Sequence, residues 1–183
     1  MAEYRIAVLV GSLRKNSFNA RLADSLASLA PPDIRLTRVQ ISDLPLYSED
    51  DDGNPAPAVA RLRKEVAAAQ GVVFVTPEYN RSLPGVLKNA IDLGSRPYGQ
   101  SVWARKPAGV LGVSLGAPGT SMAQQHLRNV LAFLDMPTLA QPEIFLQFKD
   151  GLFDAPGGIG EASRGFLQIW MDRYASFVRK NAA

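Results

Sequence analysis

The sequence predicts an α/β fold in which a five-stranded parallel sheet is covered by helices on both faces. Three observations lead there. Short apolar runs alternate with longer stretches of helical periodicity along the chain. Several runs are continuously apolar, as strands buried on both faces are. No repeat and no shift in composition divides the 183 residues, so 1–183 is expected to form a single domain.

The elements follow in order. "YRIAVLV", from Tyr4 to Val10, reads as a buried strand, and Phe18, Leu22, Leu26 and Leu29 then recur at helical spacing until "APPD" stops the helix. "IRLTRVQI", from Ile34 to Ile41, is a second and more polar strand, followed by the turn-rich "DLPLYSEDDDGNPAP". Val59, Leu62, Val66 and Ala69 stripe a helix, "GVVFV" from Gly71 to Val75 is the third strand, and Leu87, Ala90 and Ile91 line the helix that starts near Pro84. "PAGVLGVS" (107–114) is the fourth strand. Ala123, Leu127, Val130, Leu131 and Leu134 stripe the next helix, and "TLAQPEIF" (138–145), interrupted by Pro142, is the fifth strand. The last helix carries Phe166, Leu167, Trp170, Tyr174, Phe177 and Val178.

Composition narrows the function. With 46% hydrophobic and 20% charged residues the chain can bury a sizeable core, which excludes a disordered or fibrous protein. The net charge is +3, and Lys and Arg are scattered, so no basic run exists to grip nucleic acid. A small anionic ligand accounts for a few cations more simply. The absence of cysteine removes disulfides, thiol chemistry and Cys-based zinc sites. No apolar run is long enough to cross a bilayer, and "MAEYRIAVLV" lacks the pattern of a leader, so a soluble cytoplasmic protein is expected.

In sheets of this kind ligands sit beyond the carboxyl ends of the strands, at the switch point in strand order. The turns after strands one, three and four are therefore the ones to read. "GSLRKNSFNARL" offers Ser12, Arg14, Ser17 and Asn19 next to a helix start capped by Ser17 or Asn16. Hydroxyls, a guanidinium and free backbone N–H groups at the positive end of a helix make a phosphate site. The alternative is a capping loop with an exposed Arg14. This turn lacks the second Gly followed by Lys and Ser/Thr of a P-loop, and also the three spaced glycines of the dinucleotide fingerprint.

"PEYNRS" after the third strand supplies Pro77, Glu78, Tyr79 and Asn80. Backbone donors, a polar edge and an aromatic wall on a turn stiffened by Pro77 and Pro84 suit a planar polar ring. The alternative has Tyr79 in the core and Asn80 closing a turn. After the fourth strand, Ser114, Gly116 and Gly119 either let the backbone approach a flat ligand or form a flexible connection.

Taken together, "GSLRKNSFN" (11–19), "TPEYNRSLPGVLKNAIDLGSRP" (76–97) and "HLRNVLAFLD" (126–135), with "DLPLY" (43–47) and "QPE" (141–143), resemble the NADPH-dependent FMN reductase family of flavodoxin-like proteins. The likeness is nearest to the soluble quinone and chromate reductases of bacteria. It implies a flavodoxin-like three-layer sandwich with strand order 2-1-3-4-5. It implies FMN, its phosphate on Ser12, Arg14, Ser17 and Asn19, its ring edge on Pro77, Glu78, Tyr79 and Asn80, and Ser114 on the other side. The implied activity is hydride transfer from NADPH or NADH to the flavin, then electron transfer to quinones or other oxidised acceptors such as chromate. Family members are dimers or tetramers, and the resemblance suggests that Arg128 and Glu143 pair across a subunit contact. "SLGAPGTSM" departs from the glycine-richer loop of related sequences.

No side chain is expected to act as an indispensable acid or base, and no metal site is expected. The chain has one histidine, His126, in mid-helix, and it reads as structural or interfacial. Glu49 to Asp52 reads as a solvated loop whose neighbour "PLY" could wall the flavin, and Arg81, Arg96 and Arg105 could supply charge for a 2′-phosphate. Two rivals stand beside the enzyme. One is a flavodoxin-type electron carrier, a class that tends to be acidic and to hold phosphate with hydroxyls. The other is a nucleotide-binding module without flavin.

Overall fold

The computed structural model describes residues 3–154 and 158–182. The elements run β1 (Tyr4–Val10), α1 (Phe18–Leu26), β2 (Ile34–Arg38), a 3₁₀ turn (Glu49–Asp51), α2 (Pro57–Ala67), β3 (Gly71–Val75), α3 (Gly85–Ser95), β4 (Ala108–Ser114), α4 (Ser121–Phe133), β5 (Ile144–Gln147) and α5 (Glu161–Asn181). The sheet has five strands in the order β2-β1-β3-β4-β5, with every pairing parallel. The expected α/β sandwich and its 2-1-3-4-5 order are both observed.

Side-chain alternation along the strands divides the core into two layers. Ile6, Val8 and Val10 pack with Leu22 and Leu26 of α1 and Trp170 and Tyr174 of α5. Ala7 and Leu9 face the other way, onto Val59 and Leu62 of α2, Leu87 and Ile91 of α3 and Leu127 of α4. Glycines on two strands make room for the α5 aromatics. A Cβ on Gly109 would come within 2.8 Å of the Trp170 ring, and one on Gly71 within 2.9 Å of the Tyr174 hydroxyl. Trp170 and Tyr174 stack at 5.3 Å, and the Tyr174 hydroxyl donates to the Val72 carbonyl at 3.0 Å. Burial raises the Tyr174 pKa well above the usual phenol value, so this donor keeps its proton.

Three boundaries differ from expectation. β2 stops at Arg38, although Val39 still donates to Val8 at 2.9 Å and Ile41 is buried beyond the strand. β5 runs from Ile144 to Gln147, because Pro142 cannot donate to a ladder; upstream, Thr138 makes only an isolated bridge to Ala108. α1 ends at Leu26, and Leu29 reaches the core from a following turn through its N–H on the Leu26 carbonyl.

Registry aligns the carboxyl edge. Val10 pairs with Val75, and Val75 pairs with Leu111. Gly11 N–H then donates to the Val75 carbonyl at 2.9 Å and Thr76 N–H to the Leu111 carbonyl at 3.0 Å. The three turns singled out in the sequence therefore leave the sheet side by side.

Candidate functional site

A cleft of about 380 Å³ opens at this edge between the turns after β1, β3 and β4. All the predicted site residues line it except Asn80: Ser12, Arg14, Ser17 and Asn19 at one end, Pro77, Glu78 and Tyr79 at the other, with Ser114 between. The volume falls within the range of small-molecule and cofactor sites.

At the α1 end, Ser17 is buried and is the N-cap, its hydroxyl accepting from Ala20 N–H at 3.2 Å. The helix start keeps N–H groups that no turn of helix precedes to satisfy. The Arg14 guanidinium donates to the Asn16 carbonyl at 2.9 Å, and its Cζ lies 4.9 Å from the centre of the Phe18 ring. Asn19 behaves differently from expectation. Its buried amide donates to the Val113 carbonyl at 2.9 Å and accepts from Val113 N–H at 3.0 Å. Both ends of that side chain tie α1 to β4, so it shapes the floor of the cleft, and one of its two amide N–H donors is engaged there.

The turn after β3 is built from backbone. Tyr79 and Ser82 exchange both N–H···O bonds at 3.0 Å, around Asn80 (φ 52°) and Arg81 (φ 61°). Two consecutive left-handed residues in a two-residue loop define a type I′ turn, which asparagine tolerates and arginine adopts at a cost. Asn80 closes this turn, outside the cleft lining. Tyr79 stays out of the core, 51% exposed at the mouth. Two side-chain contacts pin the turn to α4. The Glu78 carboxylate accepts from Met122 and Ala123 N–H, both at 3.0 Å, which caps that helix with a negative charge at its positive end. Ser82 Oγ and His126 Nδ1 share a hydrogen bond at 3.0 Å. The lone histidine thus ties α4 to this turn.

In the turn after β4, Ser114 Oγ donates to the Gly119 carbonyl and, at 3.3 Å, to the Gly116 carbonyl. Gly119 has φ +65°, and a Cβ there would lie 2.7 Å from the Phe145 carbonyl carbon. This glycine is required by the fold. Gly116 is different: a Cβ would meet nothing nearer than 3.7 Å, and the residue borders the cleft.

Other expectations need correction. Pro45, Leu46 and Tyr47 line a separate small cavity with Arg63 and Arg96, away from the cleft. Asn89 of α3 holds that loop there, accepting from Tyr47 N–H at 2.9 Å and donating to the Pro45 carbonyl at 2.8 Å. Arg96 stacks over Tyr47 at 5.7 Å, and Arg105 lies before the start of β4, at the amino edge of the sheet. Of the proposed 2′-phosphate arginines only Arg81 is on a turn that borders the cleft. Arg128 and Glu143, expected across a subunit contact, meet within one chain at 3.6 Å. Arg128 also donates to the Leu139 carbonyl at 2.9 Å; burial lowers its pKa and the Glu143 charge opposes that shift. Phe18, read from the sequence as a core stripe residue, lines the cleft. Its place directly after the N-cap is the signal that could have shown this, since the first helical residue lies at the carboxyl edge of the sheet.

The residues match the family described as NADPH-dependent FMN reductase over positions 4–150. The chain belongs to that family. The 2-hydroxy-1,4-benzoquinone reductase of a Burkholderia species is 53% identical over 177 residues, covering 96% of each chain. A quinone reductase of Pseudomonas putida is 50% identical over 181 residues, covering 98% of this chain and 97% of the relative. Among solved structures, the flavoenzyme NAD(P)H:(acceptor) oxidoreductase FerB of Paracoccus denitrificans superposes with a TM-score of 0.94 at 38% identity, over 98% of this chain and 100% of its own. This FMN reductase family member is thus an oxidoreductase, and its cofactors are FMN and NAD(P)H. The cleft suits FMN on its own chemistry. Donors and a cation gather at one end, an aromatic and prolines wall the other, and the carboxylate on the lining is neutralised by the α4 N-terminus. Among the described residues no helix is long and apolar enough to cross a membrane, and no His/Asp/Glu cluster could hold a metal ion.

Proposed function

We propose that this protein is an FMN-dependent NAD(P)H oxidoreductase that delivers electrons to quinones and, as a second class of oxidised acceptor, to chromate. It works as one domain, 1–183, in the cytoplasm, where reduced nicotinamide is plentiful. The observation that carries this reading is the polarity of the cleft, with Ser12 and Arg14 at the α1 start and Pro77 and Tyr79 opposite.

Ser12, Arg14 and the N–H groups at the start of α1 hold the FMN phosphate, with Ser17 capping the helix that presents them. Asn19 supports this arrangement from beneath, through β4. The backbone of Pro77 to Asn80 meets the ring edge. Ser114 and Gly116 lie on the other side, where Gly116 leaves room for close approach. FMN, when bound, supplies hydride uptake from NADPH or NADH and electron delivery to the acceptor. The protein binds, orients and shields. Glu78 Oε2 accepts from α4 N–H groups and His126 Nδ1 bonds Ser82, which supports the reading that neither side chain is an indispensable acid or base. At the mouth Leu115 and Tyr79 expose apolar surface, which suits a flat quinone. Arg81 sits on the turn that carries Tyr79 at that mouth, and its charge suits NADPH.

A flavodoxin-type carrier would bind FMN without oxidising NAD(P)H itself. Steady-state consumption of NADPH and of NADH by FMN-loaded protein, with a benzoquinone and separately with chromate, separates the two. Turnover with the quinone is expected; consumption no faster than with free FMN would reject the enzyme reading.

The working form is a homodimer or a homotetramer. A groove of about 750 Å³ runs between α3 and α4, lined by Tyr47, Phe133 and the Lys88–Asp92 ion pair. Phe133 is 88% exposed, and Leu46, next to Tyr47, is 85% exposed. Exposed apolar surface of this kind marks an interface, and a groove offering both a cation and an anion can match a copy of itself about a twofold axis. Phe133→Glu is expected to lower the mass seen by light scattering while FMN stays bound. A monomeric wild type, or a variant of unchanged mass, would refute this interface.

A further inference from the structure

Arg14 does not stand alone at the cofactor cleft. Phe148, immediately after β5, stacks on Phe18 with ring centres 3.9 Å apart and planes inclined by only 16°. A parallel stack this close covers one face of the Phe18 ring, which leaves the other face for the Arg14 guanidinium at 4.9 Å. Phe153 continues the row, 6.5 Å from Phe148, and the Arg21 guanidinium lies 4.4 Å from the centre of its ring. Phe18 and Arg21 are one turn apart on α1, so the segment after β5 docks on the first turn of the helix whose start faces the cleft. The row reads Arg14, Phe18, Phe148, Phe153, Arg21.

From this geometry we infer that Phe148, acting through Phe18, is a positioning residue for Arg14 and so sets how strongly the protein distinguishes a phosphorylated flavin from an unphosphorylated one. The physical reasons are two. A guanidinium over an aromatic face is attracted to it electrostatically, and it binds phosphate best when its fork is already oriented. A stacked neighbour fixes the plane of that face at little entropic cost, because the aromatic side chain has few rotatable bonds. Phe148 lies well over a hundred positions from the turn it supports, and nothing in the phosphate-turn sequence points to it. The inference rests on the assignment of the FMN phosphate to Arg14.

Titrations of apoprotein with FMN and with riboflavin test it, because riboflavin lacks only the phosphate. Phe148→Leu keeps apolar bulk, and so the fold, but removes the flat face. It is expected to lower FMN affinity about three- to tenfold, with riboflavin affinity unchanged. Phe148→Tyr should retain the wild-type preference. In an Arg14→Ala background, Phe148→Leu should have no further effect on FMN, since the two residues act through one contact. Equal losses for both flavins would show a merely structural role and overturn the proposal. So would an unchanged FMN preference in Phe148→Leu, or the same FMN loss with Arg14 already removed. A wild type that binds riboflavin as tightly as FMN would instead refute the phosphate assignment itself.

Discussion

Replacing Arg14 with alanine is expected to weaken FMN binding about ten- to a hundredfold, while riboflavin binding changes little and the protein stays folded. A hydrogen bond to a charged group contributes roughly 1.5–3 kcal/mol, which sets that range. Arg14 is exposed and makes no salt bridge with another described residue. Its charge is therefore available to a ligand, and its removal leaves no buried partner stranded. Its local contacts, to the Asn16 carbonyl and the Phe18 ring, hold the guanidinium beside the α1 start and carry little of the fold. Fluorescence titration of apoprotein with both flavins reads the result. Unchanged FMN affinity, or an equal loss for riboflavin, would remove Arg14 from the phosphate site.

Gly119→Ala is expected to destabilise the protein by about 2–5 kcal/mol, whereas Gly116→Ala should be nearly neutral. Two costs add at Gly119. A left-handed backbone costs a residue with a Cβ roughly 1–2 kcal/mol, and forcing an atom into packed surroundings costs about 1–3 kcal/mol more. The new Cβ would lie 2.7 Å from the Phe145 carbonyl carbon and 3.0 Å from Leu146 N, both backbone atoms of β5 that cannot swing aside. At Gly116 the nearest neighbour would be the Pro118 ring at 3.7 Å, an ordinary contact, so stability should stay within about 0.5 kcal/mol. Urea unfolding of the two variants compares them directly. Similar midpoints would contradict the assignment of Gly119 to the fold and of Gly116 to the cleft.

That contrast shows where sequence reading ended. Gly116 and Gly119 look alike in "SLGAPGTSM", where both read either as room for a flat ligand or as a flexible connection. Only the backbone angle and the proximity of β5, distant in sequence, tell them apart. Asn19 teaches the same lesson. An asparagine in a phosphate turn reads as a donor, yet one amide N–H and the amide oxygen both bond Val113, which periodicity could not have placed next to it. By contrast, the strands, the helices and the two covered faces of the sheet are legible, because strand runs and helical stripes record burial directly; the sheet order is what the family resemblance implies. The cap is legible to within two residues, Asn16 or Ser17, because capping depends on residues three positions apart, and the structure selects Ser17. β5 was the least legible strand. Pro142 breaks its ladder, and its four residues carry too short a pattern to fix the ends. The family resemblance suggests Arg128 and Glu143 as a pair, but a sequence does not say whether two charges meet within one chain or between two.

The central claim is that bound FMN connects NAD(P)H to a quinone. Anaerobic absorbance spectroscopy of FMN-loaded protein tests it most directly, with stoichiometric NADPH added first and a benzoquinone second. The yellow flavin band is expected to bleach on the first addition and to return on the second. A band that persists after NADPH, or one that bleaches and does not return with the quinone, would contradict the account.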